Sequence, residues 1–247
     1  MKIVLFGGTT EGRVLSRKLA ALGPQVLVSV ATPLGQEEQG ELPGVAVHCG
    51  RLTVEGMAEL LADASLCIDA THPYAAEATR NIRAAAHRSG VELLRLLRSD
   101  SPLPENAVVV TGAAEAAAYL AQTEGNILLT TGAKELAAYT ALPPERLYPR
   151  VLPTLDGISA CERLNIPHRN ILALQGPFTR KMNEAMLEQY HIDILVTKDG
   201  GVSGGFAEKA EAARACGVRL VVLRRPEERG LTMEQVLARC EERLQCN

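Results

Sequence analysis

The stretch Lys2-Ile3-Val4-Leu5-Phe6-Gly7-Gly8-Thr9-Thr10-Glu11-Gly12 is an apolar run that ends in a glycine- and threonine-rich loop, and a helical pattern follows it. Two later stretches repeat this form, Ile127–Lys134 and Ile192–Gly205. A strand that leads through such a loop into a helix exposes backbone N–H groups and the positive end of the helix dipole to anions. In open parallel sheets these loops lie at the carboxyl ends of the strands. The pattern predicts an α/β fold that binds large anionic ligands.

Strand and helix patterns alternate through both halves of the chain, which is typical of parallel sheets with helices on both faces. The polar, proline-containing segment 98–104 is the best linker. We therefore expect two Rossmann-like parallel-sheet domains facing a central cleft, residues 1–100 and 101–247. The four prolines of Pro143–Thr154 predict an irregular edge or crossing segment. The last helical pattern, Thr232–Leu244, falls in the second domain.

Composition excludes several classes of function. The 247 residues are 47% hydrophobic but only 3% aromatic, and the net charge is −3, so neither base-stacking surfaces nor a basic field for nucleic acid is expected. The six cysteines form no CxxC pair and the five histidines show no metal-ligand spacing, so we expect reduced thiols and no metal site. No secretory signal or membrane-length apolar segment is present, which predicts a cytoplasmic protein without a membrane partner.

The loop Gly7–Gly12 stands where a dinucleotide fingerprint should, although its glycines fall at 7, 8 and 12 and so depart from G-x-G-x-x-G. Two glycines allow a tight turn and close approach of a phosphate, and two threonines add hydroxyl groups. A plain tight turn is the alternative. The second strand ends at Val28–Thr32 without an acid for a ribose hydroxyl or an arginine for a 2′-phosphate, so NADH and NADPH both stay open.

The segment Asp69–Ala75 closes the fourth predicted strand. Pro73 suits a first helical position and Thr71 or His72 the cap before it, which would place His72 and Tyr74 at the ligand edge of the sheet. A local capping motif without a ligand is the alternative.

The loops of the second half supply hydroxyls, glycines and lysines. Lys134 and Lys198 are candidate partners for carboxylates or phosphates, although a solvated position in the first helical turn is slightly favoured for Lys134 taken by itself. The glycine-rich segment 200–205 is harder to explain without a ligand, because so many glycines cost backbone entropy. A nucleophile elbow, a zincin motif, a Walker loop and a Tyr-x-x-x-Lys pair are all absent.

Four motifs together resemble the precorrin-6A reductase and cobalt-precorrin-6A reductase family of corrin biosynthesis: KIVLFGGTTEGRVLS at Lys2–Ser16, IDATHPYA at Ile68–Ala75, LLTTGAKEL at Leu128–Leu136 and ILVTKDGGVSGGFAEKAEAA at Ile192–Ala213. The resemblance covers essentially the whole chain. It implies two Rossmann-like domains, with a strand that can be exchanged near residue 101. It also implies an oxidoreductase that acts on a CH–CH bond with NAD(P), reduces a tetrapyrrole in cobalamin biosynthesis and has neighbouring corrin-pathway enzymes as candidate partners.

The resemblance also directs the assignment of site residues. The cofactor, NADPH or NADH, is expected at Gly7, Gly8, Thr9, Thr10, Glu11, Gly12 and Thr71. The tetrapyrrole carboxylates are expected at Tyr74, Thr131, Gly132, Lys134, Lys198, Gly200, Gly201, Ser203 and Gly204. His72 is the candidate catalytic residue, with positioning favoured over proton donation. Another NAD(P)-dependent reductase or epimerase and a non-enzymatic two-domain sensor of anionic ligands remain as alternatives.

Overall fold

The computed structural model describes residues 1–98, 102–201, 205–225 and 229–245. The chain forms two compact units. The first comprises Met1–Ser99 and Glu227–Asn247, and the second comprises Asp100–Pro226.

The first unit is a parallel sheet covered by helices. Its elements are β1 (Lys2–Phe6), α1 (Thr10–Ala21), β2 (Gln25–Val30), α2 (Pro33–Gln39), β3 (Val45–Cys49), α3 (Val54–Leu61), β4 (Leu66–Asp69), α4 (Ala76–Ser89), β5 (Leu93–Arg95) and α9 (Met233–Gln245). The five strands have the order β3-β2-β1-β4-β5, and every neighbouring pair is parallel.

Alternation along β1 shows how the two faces of this sheet are covered. Ile3 and Leu5 lie in one apolar cluster with residues of α1 and α9. Val4 and Phe6 lie in the opposite cluster with residues of α3 and α4. Successive side chains of a strand point to opposite faces, so a strand that is apolar throughout must be covered on both sides.

The second unit has the same layered plan. Its elements are β6 (Val108–Val110), α5 (Ala113–Leu120), β7 (Asn126–Leu129), β8 (Leu147–Val151), α6 (Leu155–Glu162), β9 (Leu172–Ala173), α7 (Arg180–Gln189), β10 (Ile192–Lys198), α8 (Phe206–Ala215) and β11 (Arg219–Leu223). The six strands have the order β6-β11-β10-β7-β8-β9 and pair in parallel. A 3₁₀ segment, Ala133–Tyr139, follows β7.

Each sheet contains one point where the strand order reverses. In the first unit the chain runs outward from β1 to β2 on one side and from β4 to β5 on the other. In the second unit the corresponding strands are β7, which leads to β8, and β10, which leads to β11. Ligands of open α/β sheets bind at the carboxyl ends of the strands that flank such a point. The fold therefore singles out the loops after β1, β4, β7 and β10.

The two parallel-sheet α/β domains are confirmed, but three elements differ from the expectations. Helix α2 is absent from the predicted elements; Thr32 caps it by accepting a hydrogen bond from the Gly35 N–H at 3.1 Å. Strand β8 lies between β7 and β9 within the segment expected to be irregular. Pro149 stands inside that strand, in register with Leu129, and misled the prediction because proline is rare in inner strands.

The third difference concerns the carboxyl-terminal helix. We assigned it to the second domain, but α9 packs on α1 in the first unit. Its buried residues Val236 and Cys240 belong to the cluster that contains Leu15 and Leu19. The expected boundary at residue 100 lies outside the described residues. Among the described strands, each one pairs within its own unit.

In the described part of the chain, every helix is too short or too polar to cross a membrane.

Candidate functional site

The loop after β1 has the geometry of a phosphate cradle. Gly8 adopts φ +96°, and a Cβ built there would meet no atom within 4 Å. Only glycine adopts this conformation readily, and the space beside it is open to a ligand. Gly7 donates its N–H to the carbonyl of Ser29 at 2.9 Å, which fixes the start of the loop against β2.

Thr9 and Gly12 hold this loop against the neighbouring strand. The Thr9 hydroxyl accepts a hydrogen bond from the Gly12 N–H at 3.0 Å and donates one to the Ala70 carbonyl at 2.8 Å. A Cβ on Gly12 would lie 3.3 Å from the Ala70 Cβ, so glycine allows α1 to approach the end of β4 closely. Thr9 is therefore a helix cap that joins two strand ends, and its hydroxyl is already used within the protein.

The first turn of α1 leaves donors for an anion. Among the described residues, the N–H groups of Thr10 and Glu11 have no acceptor. The carboxylate of Glu11 would repel a phosphate at this position, but Arg98 lies 3.0 Å from it. Both side chains are largely buried. The ion pair offsets the negative charge at the start of α1, so the loop can accept an anion.

The end of β2 carries no group that would select one nicotinamide cofactor. Thr32 is committed to capping α2, as described above. Arg13 of α1 donates from Nη1 to the Glu38 carbonyl at 2.8 Å. The position where an acid would bind a ribose hydroxyl is occupied by Val30 and Ala31.

A buried ion pair that we did not predict fixes the end of β4. Asp69 is 1% exposed and Arg95 of the neighbouring strand is 8% exposed. Arg95 Nη1 donates to Asp69 Oδ1 at 2.7 Å and to the Thr71 carbonyl at 3.0 Å. Asp69 Oδ2 is buried without a hydrogen-bond partner among the described residues. The sequence pattern that could have predicted this ion pair is a charged residue at the last position of each of two adjacent apolar strands.

Thr71 is held by this pair. Its hydroxyl donates to Asp69 Oδ1 at 2.7 Å, and its N–H donates to the same oxygen at 3.0 Å. Thr71 thus supports the turn that follows, and its expected contact with the cofactor stays a prediction.

The predicted cap of α4 was wrong. The helix begins at Ala76, its N-cap is Ala75, and no side chain caps it. Pro73 and Tyr74 instead form a turn that is closed by a hydrogen bond of 2.8 Å from the Ala75 N–H to the His72 carbonyl. Because the helix starts later than expected, residues 71–75 form a loop at the carboxyl edge of the sheet.

His72 has a defined ring orientation in this loop. Its Nδ1 accepts a hydrogen bond from the Tyr74 N–H at 3.3 Å, and the two rings lie 5.6 Å apart between centroids. A ring nitrogen that accepts is unprotonated, so the proton of the neutral ring is on Nε2. His72 in this state presents a hydrogen-bond donor from Nε2.

The loop after β7 divides into a buried and an exposed part. Thr131 is 5% exposed and lies beside Tyr139, whose pKa burial raises to about 12. Gly132 adopts φ +87°, and Lys134 is exposed. The hydroxyl expected to bind substrate thus faces the interior of the unit, whereas Gly132 and Lys134 are accessible.

The loop after β10 brings charged groups together. The Lys198 ammonium lies 2.8 Å from Glu135 Oε1. Asp199 Oδ1 accepts from the Gly201 N–H at 3.3 Å and lies 3.4 Å from Arg225, which follows β11. Gly200 is buried, and Ser203 and Gly204 lie outside the described residues.

Comparison with known proteins identifies the family. The family model described as "Precorrin-6x reductase CbiJ/CobK" matches residues 2–241. The chain belongs to the precorrin-6x reductase family. It is an oxidoreductase, and the recognition made from the four motifs is confirmed.

Individual members of the precorrin-6x reductase family match nearly the whole chain. The cobalt-precorrin-6A reductase of Priestia megaterium is 34% identical over 232 residues, with 91% of each chain covered. The precorrin-6A reductase of Rhodococcus erythropolis is 34% identical over 231 residues, with 91% of this chain and 89% of that protein covered. A solved structure titled CobK precorrin-6A reductase is 25% identical, with a TM-score of 0.76 over 98% of this chain and 96% of that one.

Proposed function

We propose that this protein reduces one C=C bond of precorrin-6A, or of its cobalt-bearing form, with a nicotinamide cofactor in cobalamin biosynthesis. Membership of the reductase family supports the reaction. The observation that carries the cofactor assignment is the loop after β1, where an open Gly8 and acceptor-free N–H groups flank the reversal point of the sheet. One relative named for the cobalt-bearing substrate and one named for precorrin-6A are each 34% identical to this chain, so both substrates are included.

The cofactor phosphates fit the residues of this loop. Backbone donors of Thr10 and Glu11 would hold the pyrophosphate at the start of α1, with Gly8 allowing it to approach. The cofactor supplies hydride chemistry when bound, and the protein supplies orientation and electrostatics. NADPH and NADH are both candidates, because no acid stands at the end of β2 to bind a free ribose hydroxyl.

In this proposal His72 orients the bound cofactor and does not donate the proton to the substrate. With Nδ1 accepting from Tyr74, the neutral ring donates from Nε2 and would fix a carbonyl or carboxamide oxygen. The Asp69–Arg95 pair keeps the loop in place through Thr71. Reduction adds a hydride to one carbon and a proton to its neighbour, and we assign the proton to water.

The carboxylates of the macrocycle fit the loops of the second unit. The Lys198 ammonium lies 2.8 Å from Glu135 Oε1, and as a mobile point charge it would pair with a carboxylate of the macrocycle. Gly132 and Lys134 lie in the accessible part of the loop after β7. Gly200 and Gly201 belong to the same loop as Lys198, and their backbone groups are further candidates to bind the carboxylates. Ser203 and Gly204 follow them in the sequence and complete this set of candidates.

The test is a reconstitution with purified protein. Metal-free and cobalt-bearing precorrin-6A are each incubated with NADH and with NADPH, and cofactor oxidation is followed by absorbance and the product by mass. We expect stoichiometric cofactor oxidation and a product heavier by two hydrogens with at least one combination. Folded protein that oxidises neither cofactor with either substrate would refute the proposal.

A further inference from the structure

A small cavity in the second unit is lined by two cationic side chains, a half-buried arginine and a buried lysine. Its volume is about 160 Å³, and its walls come from Arg150 of β8, the loop 176–178, Asn183 of α7, and Gly205 and Lys209 of α8. Except for Gly205, which ends the loop after β10, these residues lie outside the loops that flank the β7–β10 reversal point. Arg150 and Lys209 therefore require an explanation of their own.

Arg150 is fixed in place with donors to spare. Its guanidinium lies 4.1 Å from the centroid of the Phe178 ring, and Nη1 donates to Asn183 Oδ1 at 2.8 Å. The Asn183 amide is itself oriented, because its Nδ2 donates to the Thr179 carbonyl at 2.9 Å. A guanidinium carries five N–H donors, and this arrangement occupies the Nη1 end. Burial lowers the pKa of Arg150 to about 10.

Lys209 lies in the same cavity and is 8% exposed. Within the described residues, no carboxylate lies within ion-pair distance of its ammonium. Burial, and then the charge of Arg150, lower its pKa to about 7. The Glu208 carboxylate opposes this shift, and its buried Oε2 would lie 3.8 Å from a Cβ on Gly205, outside ion-pair distance of the Lys209 ammonium. At neutral pH the site thus holds one permanent cation, Arg150, and one amine, Lys209, whose protonated form a bound anion would favour.

A buried lysine beside a second, half-buried cation is unfavourable unless something compensates the charges. The groups around the two cations are the Phe178 ring, the oriented Asn183 amide and Gly205 at the start of α8. Titratable groups with strongly perturbed pKa values in a cavity are typical of functional sites. The compensation that fits this cavity is an oxyanion.

We propose that Arg150 and Lys209 form a subsite for one carboxylate or phosphate group of a ligand. Arg150 would bind it with its remaining N–H donors and Lys209 as a point charge. Under the proposed function, on which this step rests for the ligand's identity, the group is either a substrate carboxylate or a cofactor phosphate. Both share the oxyanion chemistry, and kinetics can separate them.

The first experiment uses the wild-type protein and needs no activity. Lysine side-chain resonances are followed by NMR from pH 5 to 11, with Lys209 assigned by its loss in Lys209→Met. Inorganic phosphate and propionate are added as probes. Because an anion favours the charged amine, we expect the Lys209 midpoint to rise by about one pH unit or more with at least one probe. A midpoint unchanged by either would overturn the subsite.

The second experiment identifies the ligand. Lys209→Met is compared with Lys181→Met, a control at an exposed position of α7. We expect Lys209→Met to raise the KM of either the tetrapyrrole or the cofactor by about tenfold or more, with kcat nearly unchanged. A rise for the tetrapyrrole assigns a carboxylate, and a rise for the cofactor assigns a phosphate.

Unchanged KM values for both ligands would remove the subsite from the reaction, even if phosphate or propionate binds. Should the protein reduce no tetrapyrrole at all, the NMR titration still decides whether the cavity binds an oxyanion. Failure of the proposed function and failure of the subsite are therefore distinguishable.

Discussion

Both units place an arginine near the carboxyl end of a strand, but the surroundings of the two arginines differ. In the first unit Arg95 lies 2.7 Å from Asp69, and the pair is almost fully buried. In the second unit Arg150 and Lys209 share a cavity, and no described carboxylate forms an ion pair with either. Arg95 has a carboxylate partner within the protein, whereas a bound anion would supply that partner for Arg150 and Lys209. The first arrangement indicates a structural role and the second a ligand.

The largest expected effect comes from breaking the paired arrangement. Asp69→Ala leaves Arg95 buried without its carboxylate and releases the turn at Thr71, so we expect a loss of about 3–5 kcal/mol in the free energy of unfolding. Urea unfolding measures it. The control is Asp63→Ala, which removes an exposed carboxylate paired with Lys2 and should lower the free energy of unfolding far less, because solvent screens an exposed ion pair. Equal losses in the two variants would contradict a structural role for Asp69.

For the unpaired cations we expect the opposite effect, since removal of Lys209 should raise the free energy of unfolding. The pKa of Lys209 is about 7 in the folded protein and near its ordinary value of 10.5 when the chain is unfolded. Its contribution to stability therefore falls as pH drops from 10.5 to 7, and the full penalty is present below 7. In the absence of ligand, Lys209→Met should be more stable than wild type at pH 6, and the gain should shrink by pH 9.

Urea unfolding of Lys209→Met and of the exposed control Lys181→Met at both pH values checks this prediction. A pH-independent difference, or a loss of stability at pH 6, would show that the Lys209 ammonium is already compensated within the protein.

Lys198 is an intermediate case, a cation with an internal partner beside a proposed substrate loop. Lys198→Ala should raise the KM of the tetrapyrrole by an amount typical of a charged hydrogen bond, roughly 1.5–3 kcal/mol. Glu135→Gln removes the partner without removing the ammonium, so it should leave this KM within a few-fold of wild type. A normal KM in Lys198→Ala would assign Lys198 to structure, like Arg95.

The sequence alone predicted those strands and loops of the two units that depend on the pattern of neighbouring residues. Apolar runs followed by glycine loops identified β1, β7 and β10 and the loops after them, because strand alternation and turn chemistry are encoded within a few neighbouring residues. The reversal points follow from strand order and could not be seen locally.

The unpaired cations could not have been predicted, for a physical reason. Arg150 lies in β8, a strand that we did not predict because of Pro149 and the prolines around it. The residues around Arg150, which are Phe178, Asn183 and Lys209, come from three later segments of the chain. Arginine and lysine are usually solvated, so the residue types carry no signal without burial. Similarly, the apolar stripe of α9 predicted a helix but not which sheet it would cover.

A smaller effect tests the backbone cradle, which uses no cation. Gly8 and Gly23 have nearly the same φ, +96° and +94°, and a Cβ at either would meet no atom within 4 Å. Alanine at each position should therefore cost similar stability, whereas only Gly8→Ala should weaken cofactor binding, by about tenfold or ~1.4 kcal/mol. Calorimetric titration with NADH and NADPH measures it. Equal affinities in the two variants would remove the loop after β1 from the cofactor site.

The smallest change is expected for His72→Asn. Asparagine retains an acceptor for the Tyr74 N–H and an N–H donor, but it cannot titrate near neutral pH. If His72 only positions the cofactor, single-turnover rates of hydride transfer and of product protonation should each fall by no more than about tenfold, and the pH profile should stay unchanged. General acid catalysis by a side chain usually contributes about 10²–10⁴ in rate. A loss of that size confined to protonation would make His72 the proton donor, and wild-type rates in both steps would place it outside the site.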